Sequence, residues 1–452
     1  MLERKAYERL LKWKTDSAGK TALLIEGARR VGKSTLVREF GRQEYSSCVF
    51  IDFVEASDQV LELFSELRND LDSFFLYLSA AMSTPLHERD TLIVFDEVQA
   101  FPKAREAIRQ LVADGRYDYV ETGSLVSIRE NVRDIRIPSE ERAMDLDPMD
   151  FEEFLWAMGE RLLADVIRDS FEKKRPLPDS LHRKASRLFR EYMLVGGMPQ
   201  AVDEYVHSRD FSRVDAVKRD ILALYRNDIA KHAGGARNRV TAVFDGIPGQ
   251  LAKHEKKFTL ASISKGARMR EYEDAFFWLS DARITNDCFN STDPSVGLGL
   301  SKDRTLVKCY MADTGLLVSH AFADRDSTSD GVYRDVLLGK VSINEGMIAE
   351  NAVAQALRAN GHRLFFLSQY DAVAKRSLEV DFLVTEPYPD AAMKTRVSPV
   401  EVKSGDSYET RSLDKLRARY QKRIGTEYVI HPRQLRIEGA RIYLPLYMAF
   451  CL

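Results

Sequence analysis

The residues Gly27 to Ser34 read GARRVGKS and meet the spacing G-x-x-x-x-G-K-[ST] at every position. Gly27 and Gly32 let a backbone wrap a phosphate, and the amides of Ala28, Arg29, Arg30 and Val31 and of the following helix end can bind its oxygens. Lys33 then reaches the β- and γ-phosphates, Ser34 ligates magnesium, and Thr35 completes the nucleotide-binding set. The chemistry that this spacing serves is the binding of ATP with Mg2+.

A partner for the loop stands at residues 91–99, TLIVFDEVQ, where an apolar run ends in Asp96 and Glu97. Carboxylates at the C-terminal end of a strand lie where ligands bind in parallel sheets. Asp96 is the candidate second magnesium ligand, and Glu97 the group that polarises an attacking water. The stretch YVETGS ends in Thr122 and Ser124, hydroxyls within reach of a γ-phosphate; Ser124 reads equally as a helix N-cap.

A second set of charges lies near the C-terminus. In EVDF, Glu379 and Asp381 share one strand face, and in VEVK, Glu401 and Lys403 do the same, while the intervening valines point away. Charges on strands packed by helices need a partner or a metal. Two carboxylates and a lysine so arranged can bind magnesium and activate a water for phosphodiester attack, or form a structural ion-pair cluster that cuts nothing. From Glu401 to Leu444, ten Lys/Arg face six acids, and RARYQKR is a dense basic helix. Such a face can track DNA phosphates, or be an ordinary solvated surface. The eight histidines are scattered, with no metal-ligand spacing, and no motif supports Ser/His/Asp catalysis.

The elements that must position these residues follow from hydrophobic period. Between residues 21 and 137 short apolar runs (TALLIEG, CVFIDF, TLIVFDE, YDYVETGS) alternate with helical stretches near 34–40, 58–82 and 103–113, which predicts a parallel sheet covered on both faces. Past Pro148 the text turns to helices, interrupted by the loop GGMP at 196–199. Residues 245–320 read as helix, turn, helix and a strand pair, the grammar of a winged helix. A polar, acidic stretch at 321–340 reads as a linker, and the last 110 residues or so as a second α/β domain.

At 452 residues the chain is long enough for about three domains. With 44% hydrophobic and 30% charged residues it is neither collagen-like nor disordered. Lys plus Arg (67) nearly cancels Asp plus Glu (69), so a nucleic-acid partner must be argued from a local patch. Four widely spaced cysteines form neither a disulfide framework nor a metal site, pointing to the reducing cytoplasm. No stretch spans a membrane; the first helix, with Leu10 and Trp13 among basic residues, could lie on one or pack on the first domain.

The motifs GARRVGKSTL, LIVFDEVQ, VETGS, LDPMDFEEFL, YMLVGGMP, KCYMADTGLL, EGMIAENAV, EVDFLV and VEVKSG stand here in an order that resembles prokaryotic AAA-type ATPases with a C-terminal restriction-endonuclease-like domain. The resemblance runs from Lys5 to Val429. It implies an ATPase core, a helical lid, a winged-helix-like unit and a nuclease-fold tail. It also implies that Arg142, in Glu141-Arg142 where the family usually has Gly-Arg, reaches a phosphate in cis or across a subunit boundary, and that Glu350 joins Asp381, Glu401 and Lys403.

The expected architecture is therefore multidomain α/β: a P-loop ATPase domain at 1–148, a helical lid at 149–238, a winged-helix-like domain at 239–330 and a restriction-endonuclease-like domain at 331–452. The expected activity is Mg-ATP hydrolysis, with the tail engaging DNA. The rival expectation is a regulatory nucleotide switch whose tail is an inactive docking module for a protein partner or a second copy.

Overall fold

The computed structural model describes residues 1–67, 69–123, 140–253, 255–263, 265–323, 327–337, 344–371, 376–386, 396–405 and 408–452. Ser124 and part of the acidic stretch after residue 321 lie outside them. The chain divides into two compact units, Met1–Asp147 with Asp281–Arg283, and Pro148–Ser280 with Ile284–Leu452. Among the described residues, no helix is long and apolar enough to cross a membrane.

The first unit is built on β1 (Ala22–Glu26), β2 (Ser47–Asp52), β3 (Thr91–Asp96), β4 (Asp118–Gly123) and β5 (Glu141–Asp145), ordered β2-β3-β4-β1-β5. Every neighbouring pair is parallel. The helices are α1 (Ala6–Ser17), α2 (Lys33–Glu44), α3 (Asp58–Glu66), α4 (Leu71–Ala81) and α5 (Pro102–Asp114). β1, β3 and β4 are buried at every residue; β1 and β3 accordingly carry the apolar runs ALLI and LIVF, whereas β4 buries Asp118, Glu121 and Thr122. One face carries an aromatic core in which Phe64 packs edge-on against Phe53, Phe74 and Phe95. The stretch expected as one helix over 58–82 is two, because the Asp70 side chain caps a new helix by accepting the Ser73 amide.

Two pieces of this unit were less legible. β5 reads ERAMD, an edge strand that among the described residues pairs with β1 alone, and it has no apolar alternation. Its start is pinned by buried Arg105 of α5, which donates to both Glu141 oxygens at 2.8 and 3.0 Å. The first helix packs rather than floats: Leu10 and Trp13 are buried, Tyr7 meets Phe40 edge-on, and Arg4 donates to the carbonyls of Val31 and Asp147.

The second unit joins helices to an eight-stranded mixed sheet. The helices are α6 (Phe151–Ala157), α7 (Arg161–Glu172), α8 (Asp179–Val195), α9 (Pro199–Ser208), α10 (Phe211–His232), α11 (Arg237–Leu251), α12 (Met269–Asp281), α13 (Thr314–Ala321), α14 (Asp330–Leu337), α15 (Glu345–Ala359) and α16 (Arg411–Tyr420). The strands are β6 (Thr285–Ser291), β7 (Lys302–Met311), β8 (Phe365–Asp371), β9 (Arg376–Glu386), β10 (Arg396–Val402), β11 (Glu427–His431), β12 (Arg436–Glu438) and β13 (Arg441–Pro445). Their order is β12-β13-β11-β10-β9-β8-β6-β7. The β6–β7 hairpin, expected as the wing of a separate unit, extends this sheet through parallel pairing of Phe289 and Asn290 with Phe365 and Phe366. α16 is the crossover between parallel β10 and β11, and its Leu413 and Leu416 join a core with Val380, Val397 and Val429.

The helices expected as a lid belong to this second unit, and one hydrogen-bonded node shows why. The Met149 amide donates to Gly197 O at 2.7 Å. Buried Asp313, the N-cap of α13, accepts the amides of Gly197 and Leu316. Gln355 on α15 accepts both the amide and the hydroxyl of Thr314 at 2.8 Å, while Asn351 accepts the Met311 amide at 2.9 Å. The backbones approach so closely that a Cβ on Gly197 would stand 2.0 Å from Met149 O, and one on Gly315 2.2 Å from Val195 O. The motifs DPMDF, GGMP, ADTG and ENAVAQ are thus parts of a single structural joint.

Candidate functional sites

In a five-stranded parallel sheet all carboxyl ends lie on one edge, and the register aligns Glu26 with both Gly123 and Asp145, and Asp52 with Asp96. The loop Gly27–Gly32 leaves that edge directly from β1. Gly27 must be glycine: a Cβ there would lie 2.4 Å from Leu146 O, an atom fixed because the Leu146 amide is bonded to Glu26 O at 2.7 Å. Gly32 takes φ +97° to launch α2, whose first residues are Lys33, Ser34 and Thr35. Ala28 and Val31 are buried and root the loop, while Arg29 and Arg30 are exposed.

Lys33 is 7% exposed and lays its ammonium across the loop, donating to Gly27 O at 2.9 Å and Ala28 O at 3.1 Å. Ser34 Oγ donates to Asp96 Oδ1 at 2.8 Å, so the loop helix and the end of β3 meet at one oxygen pair. Thr122, fully buried on β4 between them, donates to the same Asp96 oxygen and receives the Glu97 amide at 3.4 Å. Its hydroxyl, expected near a γ-phosphate, is directed at Asp96 instead. Glu97 follows β3 in a left-handed conformation, φ +52°, half-buried and held by the Gln99 side-chain amide.

A hydroxyl and a carboxylate in contact are hard oxygen donors of the kind magnesium takes, and a lysine beside a glycine-walled loop suits phosphate oxygens. Both groups therefore fit the residues present. Arg142 is not gathered here: it lies on edge strand β5 level with Leu23, four positions before Gly27 in register, and is exposed. Ser124 lies outside the described residues.

The C-terminal candidates converge, but around a residue that sequence reading missed. Lys308 of β7 is 1% exposed, and its ammonium stands 3.2 Å from Glu350 Oε1, 3.4 Å from Glu379 Oε1 and 3.4 Å from Asp381 Oδ1. Glu350 also receives Lys256 and the Tyr310 hydroxyl. Lys403 pairs with Glu401 at 2.7 Å, and Asp381 accepts the Val402 amide at 2.9 Å. The same-face expectations for Glu379 with Asp381 and for Glu401 with Lys403 agree with these contacts. Burial pushes Glu350 up, but Lys308, Lys256 and Tyr310 outweigh it and hold the carboxyl down at about 2. Burial and the neighbouring Asp381 push Glu401 up to about 7 against the pull of Lys403. The signal for Lys308 was a lone lysine in the strand LVKCYM, which in a covered sheet demands buried counter-charges.

The basic stretch is largely spent on internal pairs. Lys403, Arg411, Arg417, Arg423, Arg436 and Arg441 each pair with a carboxylate. Lys415, Arg419 and Lys422 are exposed.

Residues 19–155 match the family described as an AAA domain. Residues 186–327 and 345–448 match two domains of unknown function, DUF8612 and DUF4143. No curated protein matches the chain. Among solved structures, the Aeropyrum pernix Orc1 protein in complex with DNA is similar at 14% identity over 72% of this chain and 93% of that one, with a TM-score of 0.27. Cdc6p from Pyrobaculum aerophilum is 11% identical over 76% and 96%, TM-score 0.27, and Drosophila ORC bound to DNA is 14% identical over 75% and 96%, TM-score 0.26. Overlays that loose carry nothing about partners or chemistry, so the assignment rests on the family match and on the loop and strand end that agree with it. From residue 19 to residue 155 the chain is similar to AAA domains.

Proposed function

We propose that the first unit hydrolyses ATP to ADP and phosphate with magnesium, and that this turnover works a nucleotide switch whose C-terminal domain docks a partner. The observation that carries the ATPase reading is the Ser34–Asp96 contact at 2.8 Å, which sets a hydroxyl and a carboxylate side by side at the mouth of the loop. Loop amides and Lys33 hold the β- and γ-phosphates. Ser34 and Asp96 hold magnesium, which when bound supplies charge neutralisation on the phosphate oxygens. Glu97 orients and polarises the attacking water, its backbone fixed through Thr122. Ser124 remains a candidate γ-phosphate contact. Arg142, exposed on an edge strand away from its own loop, is assigned to a phosphate across a boundary with a second copy.

Phosphate release and nucleotide titration test this together. Lys33→Ala loses nucleotide affinity, whereas Glu97→Gln keeps it and stops turnover. Normal turnover by Glu97→Gln would remove Glu97 from the mechanism.

The docking reading is favoured over DNA engagement by the pairing of six of the ten basic residues between Glu401 and Leu444 with carboxylates. The DNA reading keeps Lys415, Arg419 and Lys422 as its phosphate contacts. Binding to duplex DNA that weakens with salt and is lost in a triple charge reversal of those three would restore it.

A further inference from the structure

The C-terminal cluster has the carboxylates for a metal ion, yet its centre is a lysine. We propose that the ammonium of Lys308 takes the place of a divalent cation between Glu350, Glu379 and Asp381, so that the domain carries a metal site closed by its own side chain. This inference does not depend on the nucleotide chemistry of the first unit.

Distances make the first argument. The ammonium lies 3.2 to 3.4 Å from one oxygen of each of the three carboxylates. Magnesium or calcium would need those oxygens at roughly 2.0 to 2.6 Å, and so would need the same space. Among the described residues, no three His, Cys, Asp or Glu side chains are grouped so as to hold one ion. The carboxylates are spread to ion-pair distance around nitrogen.

Charge makes the second. Glu350, Glu379, Asp381 and Glu401 are met by Lys256, Lys257, Lys308 and Lys403, four against four. A divalent ion added to that set would bring two uncompensated positive charges into a buried region, where they are strongly disfavoured.

The third is a spare acceptor. Glu401 is 6% exposed and close enough to Asp381 for their charges to interact. One of its oxygens receives Lys403, while Oε2 is buried with no hydrogen-bond partner among the described residues. The lysines therefore do not use up the acidic set, and a cation replacing the Lys308 ammonium would find a further ligand at hand. Lys308 itself is a fixed plug rather than a swinging arm, since its strand neighbours Val307 and Cys309 are buried and its ammonium stands 5.2 Å from the Phe366 ring.

The test counts Mn2+ bound to the full-length, nucleotide-free protein by electron paramagnetic resonance. Wild type and Asp381→Asn should bind equally, showing no ion held at this cluster. Lys308→Met, isosteric without the charge, should hold an additional Mn2+ per chain, and the double variant with Asp381→Asn should lose it. A wild-type ion that Asp381→Asn removes would overturn the proposal, as would a folded Lys308→Met that binds no more than wild type. Should Lys308→Met fail to fold, the wild-type arm decides: a melting midpoint raised by Mn2+ in wild type but not in Asp381→Asn overturns it, and equal midpoints support it.

Discussion

The Thr122 hydroxyl donates to Asp96 Oδ1, the same carboxylate oxygen that receives the Ser34 hydroxyl. Because β4 lies between β1 and β3, this residue braces from the middle strand the carboxylate that the loop helix meets through Ser34. Thr122→Val keeps the shape and removes the donor. With Asp96 proposed as a magnesium ligand, the variant's ATP turnover should fall about tenfold to a hundredfold, the usual effect of losing an outer hydrogen bond to such a ligand, while Thr122→Ser stays near wild type. Steady-state phosphate release checks both.

Gly27→Ala forces a Cβ to within 2.4 Å of Leu146 O, an atom tied to β1. The loop must shift, so nucleotide affinity should fall and stability drop by about 1–3 kcal/mol, the ordinary cost of overpacking. Fluorescent-nucleotide titration and thermal melting separate the two effects.

The phosphate loop was legible because its residue types and spacing lie within one turn from β1 into α2, although Gly27 is also constrained by Leu146 far along the chain. Lys308 was not legible, because its partners, Glu350 on α15 and Glu379 and Asp381 on β9, are brought to it by helix packing and strand order that adjacent residues do not encode. The β6–β7 hairpin escaped for the same reason, its apparent independence ending at the pairing with β8. β5 was missed because an edge strand need not alternate. The runs GGMP and ADTG carry the family resemblance, GGMP also reading as a loop, and the fold uses them for close backbone packing.

Asp313→Ala would leave the buried amides of Gly197 and Leu316 without their acceptor. Two unsatisfied donors at about 1–3 kcal/mol each predict a loss on the order of 2–6 kcal/mol. Asp313→Asn, which keeps one acceptor oxygen, should lose less. Urea unfolding followed by circular dichroism measures both.

The acidic cluster gives stability two opposed pH dependences. Glu401 is raised to about 7 from an ordinary 4.5, by burial first and then by Asp381. The folded chain therefore keeps a proton that the unfolded chain gives up, and the contribution is full below 4.5 and lost as pH rises through 7. Glu401→Gln should flatten the fall of the melting midpoint across that window. Glu350, held at about 2 by Lys308 and Lys256 despite burial, acts the other way, its contribution present above 4.5 and lost as pH falls towards 2.

The joint of Met149, Gly197, Asp313 and Gln355 also has a history within each molecule. Gln355 reaches Met149 O across 206 residues, so during synthesis the helices after Pro148 emerge long before the side chain that completes their joint. Until α15 leaves the ribosome, the Thr314 amide lacks its Gln355 acceptor, and apolar surface on α8 and α9 has no finished setting. The second unit therefore completes this joint only once α15 has been made, and a chain truncated before residue 355 should be more open to proteases in that unit than the full chain.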